Sequence, residues 1–148
     1  KVPLFTGGAV KLALSKCEED RIFVLNGDTY FDVGLAAMGL FHAEQKADFT
    51  VAIKEMHSFD RYGTVEVQDN RITSFREKKF CQEGWINGGV YCLNQTLLKE
   101  IPMEKFSLEK DFMEKQVSKL KMMAFPSEGY FIDIGVPEDY AIALKKFG

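Results

Sequence analysis

The chain has 148 residues, 46% of them hydrophobic and 28% charged, with a net charge of −3. That is one domain's worth of ordinary globular composition, and so small a charge gives no bulk electrostatic reason for a nucleic-acid or membrane partner. No apolar run approaches a membrane span, the opening residues do not read as a leader, and three cysteines without C-x-x-C spacing (Cys17, Cys81, Cys92) suit free thiols in a reducing cytoplasm better than a disulfide framework.

In chain order, Pro3 to Gly8 reads as a turn with paired glycines, and Ala9 to Lys16 as a helix. A Thr-Gly-Gly turn entering a helix exposes backbone N–H groups and allows close approach by a planar or anionic ligand. No strand precedes this helix, whereas an α/β domain normally opens with one, so the chain reads as the later part of a longer domain. The stretch Phe23 to Leu25 is an apolar, partly β-branched run closed by Asn26-Gly27-Asp28. That pattern predicts a buried strand of an α/β sheet. Ligands in such sheets sit beyond the carboxyl ends of strands, which is where Asp28 falls. Tyr130 to Ile134 supplies a second strand-end carboxylate, Asp133. Two such positions suggest hard-cation chemistry.

Between them, Gly34 to Gln45 reads as a helix whose His42 is a surface or core-edge residue, and Asp48 to Ile53 as a β-branched strand followed by His57 in a polar loop. Tyr62–Val67 and Ile72–Phe75 alternate, and Asp69-Asn70 between them predicts a hairpin. The charged cluster Arg76-Glu77-Lys78-Lys79 follows. Trp85 to Leu93 is a strand interrupted by Asn87-Gly88-Gly89, where glycines predict a bulge or a close approach by a ligand. Ser107 is a candidate N-cap of a helix reaching Leu120, but Lys110 stands where a capping-box acid belongs. Lys121–Phe125 reads as a short strand. The last helix opens with Pro137, Glu138 and Asp139, as the first-turn preference for proline and acids requires.

Taken together, Pro3-Leu4-x-Thr6-Gly7-Gly8-Ala9, Asn26-Gly27-Asp28, Tyr62-Gly63-Thr64-Val65, Phe75-x-Glu77-Lys78, Asn87-Gly88-Gly89-Val90-Tyr91, Phe106-Ser107-Leu108-Glu109-x-Asp111 and Phe131 to Tyr140 resemble the sugar-1-phosphate nucleotidylyltransferases. Within them the chain looks most like bacterial mannose-1-phosphate and heptose-1-phosphate guanylyltransferases, which feed surface-polysaccharide synthesis. The resemblance implies an α/β, Rossmann-like fold of the nucleotide-diphospho-sugar transferase type, a mixed and mainly parallel sheet flanked by helices. Residues 1–148 would form the C-terminal part of a single such domain. It implies Mg²⁺ held by Asp28 and Asp133, and Lys78 paired with the sugar phosphate. Glu77 would accept sugar hydroxyls, Gly63 and Asn87 would line the sugar pocket, Thr6, Gly7 and Gly8 would border the base, and Gly27 and Gly88 would complete the substrate-binding set. The substrates would be a nucleoside triphosphate, GTP by resemblance, and a mannose or heptose 1-phosphate.

The family's Gly-rich triphosphate loop, with its Arg and Lys, has no match in this chain, and neither does the strand before it. Those backbone N–H groups and cations neutralise much of a triphosphate's charge, so this piece alone is expected to be nearly inactive. An unpaired sheet edge is expected with it, and association with a second copy. A catalytically silent relative that binds sugar nucleotide is the alternative reading, with a glycosyltransferase of similar architecture ranked below it.

Overall fold

The computed structural model describes residues 2–148; Lys1 lies outside the described residues. Helix α1 (Phe5–Leu14) leads into strands β1 (Arg21–Leu25) and β2 (Thr29–Phe31), helix α2 (Leu35–Glu44) and the long strand β3 (Phe49–Phe59). The hairpin β4 (Val65–Gln68) and β5 (Arg71–Phe75) precedes the longest strand, β6 (Cys81–Asn94). A π-helical segment (Leu108–Met113) runs into the short α3 (Glu114–Gln116), and β7 (Met122–Pro126), β8 (Phe131–Asp133) and α4 (Pro137–Phe147) close the fold.

Six strands form one sheet in the order β1-β6-β3-β7-β5-β4, and β2 and β8 form a separate ladder. The expected mixed α/β fold with flanking helices is present, but the sheet is mainly antiparallel. Among the described residues only β3–β7 is parallel, while β1–β6, β3–β6, β4–β5 and β5–β7 are antiparallel. Apolar runs identify strands without fixing their direction, and most neighbours in this sheet are not consecutive in the chain, so direction is set by the long connections and not by local pattern.

Alternation along β3 sorts the core onto two faces. Phe49, Val51 and Ile53 enter a large cluster with Leu14, Tyr91, Phe106, Phe112 and Met122 under α1 and the π-helical segment. Ala52 joins a smaller cluster with Phe31, Met38, Val90 and Cys92 under α2. His42 is buried in this region rather than at the surface: it is 1% exposed, with Nδ1 2.7 Å from Thr50 Oγ1 and Nε2 2.9 Å from Asn94 Oδ1. Asn94 Oδ1 can only accept, so Nε2 carries the proton and Nδ1 accepts from Thr50. Burial holds this imidazole below its usual range. His57 lies within β3, not in a loop, and is exposed.

Strand β1 is less buried than its apolar sequence predicts. It pairs on one side only, with β6, among the described residues, and Leu25 is 57% exposed. The Asp69-Asn70 hairpin forms as expected, both residues taking positive φ as its tight turn requires. Ser107 caps as expected, its Oγ accepting from Lys110 N at 3.2 Å. The reciprocal bond comes from Asp111, whose Oδ2 accepts from Ser107 N at 2.8 Å. A π-helical turn is wider than an α-turn, so an acid one place later does the work of the capping-box residue.

Candidate active site

A cavity of about 370 Å³ opens where β2, β6, β8, the π-helical segment and the strand following Tyr62 meet. Asp28 lies in the turn that ends β1, and Asp133 ends β8. The β2–β8 ladder brings them together: Thr29 is the register partner of Asp133, and Ile134 N donates to Asp28 O at 2.8 Å. A Cβ added at Gly135 would stand 3.0 Å from Asp133 Oδ1 and 3.8 Å from Asp28 Oδ2. Two carboxylates about a hundred residues apart in sequence therefore face one small volume.

Asp133 is held on two sides. Its Oδ1 accepts from Gly135 N at 2.9 Å, and Oδ2 lies 3.7 Å from the Arg61 guanidinium, which pairs more closely with Asp139 at 2.9 Å. The bond to Asp139 raises the Arg61 pKa. Arg61 also donates to Tyr62 Oη at 3.0 Å. Burial pushes the Tyr62 phenol up, and the Asp133 and Asp139 charges push the same way against Arg61.

The floor of the cavity is β6. Residues 87, 89 and 91 line it, as a period of two predicts. Asn87 Oδ1 accepts from Gly89 N at 2.8 Å, and its Nδ2 donates to Tyr91 Oη at 2.8 Å. The Asn-Gly-Gly interruption is a bulge: Val51 and Ile53 are two apart on β3, while their partners Tyr91 and Asn87 are four apart on β6. Gly89 takes φ +76° there. Tyr91, fully buried, donates its O–H to Glu109 Oε1 at 3.3 Å; burial, with Glu109 beside it, drives the phenol pKa up. The Glu109 Oε2 accepts from Thr6 at 3.0 Å and Ser107 at 3.4 Å. Thr29 Oγ1, also at the cavity, is the one buried side-chain polar atom without a hydrogen-bond partner among the described residues.

Of the residues singled out from sequence, Asp28, Asp133, Gly63, Glu77, Lys78 and Asn87 line this one cavity. Thr6, Gly7, Gly8, Gly27 and Gly88 do not. Thr6, Gly7 and Gly8 lie inside α1 rather than in a turn before it. Gly7 and Gly8 are buried, their N–H groups directed to Phe106 O, and a Cβ on Gly7 would strike the Phe106 ring. Their smallness serves helix packing in this structure. Gly27 is exposed with open space around it. Gly88 points to the opposite face of β6, against Phe31. Sequence reading missed Asn26, Thr29, Tyr62, Tyr91, Glu109 and Lys110, all at the cavity; for Tyr91 and Glu109 the signal was their place in the quoted motifs.

Donor chemistry at Asp28 and Asp133 fits a hard cation, being carboxylate oxygen without thiol or imidazole. A different trio, Glu55, His57 and Glu83, lies exposed on β3 and β6 with ligand atoms within 4.8 Å of one another; none of it lines the cavity. The cysteine thiols are free, and among the described residues no helix is long and apolar enough to cross a membrane.

Known proteins resemble the chain along its whole length. It is 48% identical over 145 residues to the D-glycero-alpha-D-manno-heptose 1-phosphate guanylyltransferase of Aneurinibacillus thermoaerophilus, covering 97% of this chain and 63% of that protein. The protein of the same name from Campylobacter jejuni is 45% identical, covering 95% and 62%. Crystalline HddC from Yersinia pseudotuberculosis complexed with GMP-PN superposes with a TM-score of 0.89 at 36% identity, covering 100% of this chain and 64% of that one. The chain thus spans less than two thirds of the length of these relatives. Its residues 3–147 match the nucleotidyl transferase family pattern, and the chain belongs to that family.

Proposed function

We propose that this chain carries the metal-holding and sugar-phosphate-binding part of a sugar-1-phosphate nucleotidylyltransferase. The reaction is nucleotidyl transfer from a nucleoside triphosphate, GTP by likeness to the guanylyltransferases, to mannose or heptose 1-phosphate, with release of pyrophosphate, for surface polysaccharide in the cytoplasm. The observation that carries this reading is the convergence of Asp28 and Asp133 on one volume beside the cavity that Gly63, Glu77, Lys78 and Asn87 line.

In this reading Asp28 and Asp133 hold Mg²⁺, which when bound supplies positive charge against phosphate oxygens. The chain's own groups do the rest. Lys78 pairs with the sugar phosphate, Glu77 and Asn87 meet sugar hydroxyls, and Arg61 fixes Asp133 from behind. The sugar phosphate is already an anionic nucleophile, so no general base is required: its oxygen forms the bond to the α-phosphorus as the bond to the bridging oxygen breaks and pyrophosphate leaves. Positioning and charge neutralisation carry such transfers. Thr6, Gly7 and Gly8 border the nucleotide base from within α1, and Gly27, in the turn before Asp28, and Gly88, on β6 beside Asn87, complete the substrate-binding set. The open edge of β1 supports association with a second copy, which light scattering of the purified chain tests.

The deciding experiment has two arms. Pyrophosphate release is measured for a protein containing this chain at the length of its relatives, with a panel of nucleoside triphosphates and sugar 1-phosphates. Mn²⁺ binding is measured on the chain itself by paramagnetic resonance. Asp28→Asn and Asp133→Asn should each weaken Mn²⁺ at least about tenfold without lowering the melting temperature, since each removes one of two charged ligands. Binding of sugar nucleotide without pyrophosphate release from any pair, or Mn²⁺ affinity unchanged in both variants, overturns the assignment.

A further inference from the structure

Glu77, Glu109 and Glu114 line the cavity besides the Asp28–Asp133 pair, and the structure treats the first two differently. The side chain of Glu77 is 83% exposed, and its ion pair with Lys110 is long at 3.8 Å. Glu109 is partly buried and tied down by three hydroxyl donors, those of Thr6, Tyr91 and Ser107. A group that selects among ligands has to be held in place before the ligand arrives, because ordering it afterwards costs binding energy. By that criterion Glu109 is the better prepared acceptor.

We propose that Glu109 is a specificity-determining residue for the sugar, accepting a hydrogen bond from a hydroxyl of a hexose or heptose 1-phosphate. The inference rests on the reading of this cavity as the sugar-phosphate site. A carboxylate offers about four acceptor positions, and three of those on Glu109 are engaged, two of them by long bonds of 3.3 and 3.4 Å. The position left lies on Oε1, on the carboxylate that lines the cavity. The bond order along the floor sets its polarity. Asn87 Nδ2 can only donate, so Tyr91 accepts from it and donates its own O–H to Glu109. The Thr6, Tyr91 and Ser107 hydroxyls all donate to Glu109, so its carboxylate is used here as an acceptor. A hydroxyl satisfies it; a second phosphate oxygen is repelled. The π-helical turn contributes as well, since it sets Glu109, Lys110 and the following Glu114 at the cavity.

The competing explanation is that Glu109 only clamps α1 to the π-helical segment through Thr6 and Ser107. Calorimetric titration of the chain with mannose 1-phosphate, with inorganic phosphate and with a set of mono-deoxy mannose 1-phosphates separates the two. In Glu109→Gln, mannose 1-phosphate should weaken about tenfold while inorganic phosphate stays within about twofold, as expected for one charge-assisted bond. At least one deoxy analogue should lose about tenfold on the wild-type chain and almost nothing on the variant, the signature of a shared bond in a double-mutant cycle. Asp111→Ala removes the acceptor of Ser107 N and so loosens the same segment without removing any donor to Glu109; it should lower the melting temperature and leave the ratio of the two affinities unchanged. Equal weakening of both ligands in Glu109→Gln, or a ratio shifted as much by Asp111→Ala, overturns the proposal while the sugar-phosphate site stands. A wild-type chain that binds mannose 1-phosphate no better than inorganic phosphate overturns the functional reading, and the proposal with it.

Discussion

Replacing Gly89 by alanine tests whether the bulge in β6 positions the metal-side turn. Gly89 has φ +76°, a left-handed conformation that costs an L-residue about 1–2 kcal/mol. The added Cβ would stand 2.8 Å from Asn26 Nδ2 and 2.9 Å from Thr29 Oγ1, closer than carbon sits to either atom. Overpacking of this kind adds about 1–3 kcal/mol, so Gly89→Ala should destabilise by about 2–5 kcal/mol. For a chain of this length each kcal/mol moves the melting temperature by about 2–4 °C, and a fall of roughly 4–20 °C is expected. The displaced atoms flank Asp28, and Asn26 N donates to Gly89 O at 2.9 Å, so Mn²⁺ binding should weaken too. Gly27→Ala is the matched control. It lies in the same turn, does not share the positive φ, and nothing stands within 4 Å of the added Cβ. It should be neutral or more stable by up to about 1 kcal/mol through the unfolded chain. Thermal melts and urea titrations of both variants, read beside Mn²⁺ affinity, decide the matter. Equal stability and equal metal affinity in Gly89→Ala and Gly27→Ala would refute the reasoning.

Tyr91→Phe should cost about 1–3 kcal/mol in urea unfolding, because it strands Asn87 Nδ2 and one Glu109 oxygen beside a buried ring; a loss below about 0.5 kcal/mol would mean water replaces the hydroxyl. Ser107→Ala removes the acceptor of Lys110 N and should cost about 1 kcal/mol, measurable in the same titration. His42 gives a pH dependence with a definite sign. Burial lowers its folded-state pKa below 6.5, so its contribution to stability is complete above about pH 6.5 and erodes as pH falls toward the folded value, by at most about 1.4 kcal/mol per unit. Urea midpoints measured from pH 7 to pH 5 should fall, and His42→Gln should flatten that fall; an identical slope in the variant would assign the acid loss elsewhere.

Local chemistry made much of the fold legible. The Asp69-Asn70 turn, the Ser107 cap and the Pro137 helix start are signals read within four residues, and each appears where the sequence put it. The apolar run ending at Asp28 and the strand ending at Asp133 were legible for the same reason, since a strand end is marked by its own turn residues. What failed were inferences about direction and surroundings. Gly7 and Gly8 looked like a turn before the helix because nothing nearby reveals that Phe106, a hundred residues on, packs against them inside α1. His42 looked peripheral because its partners Thr50 and Asn94 lie on two different strands.

The sequence by itself therefore determined the Asp69-Asn70 turn, the Ser107 cap, the Pro137 helix start and that two carboxylates stand at strand ends. Only the tertiary structure decided that the sheet runs mainly antiparallel and that β2 and β8 pair apart from it to bring Asp28 to Asp133. It alone decided that Asn87 and Gly89 face the cavity while Gly88 turns to Phe31, and that Tyr91, Glu109 and Thr6 join in one chain of bonds. The physical reason is range. Propensity and turn chemistry act over a few residues, whereas these meetings depend on strand direction and on which face of each strand the assembled core covers.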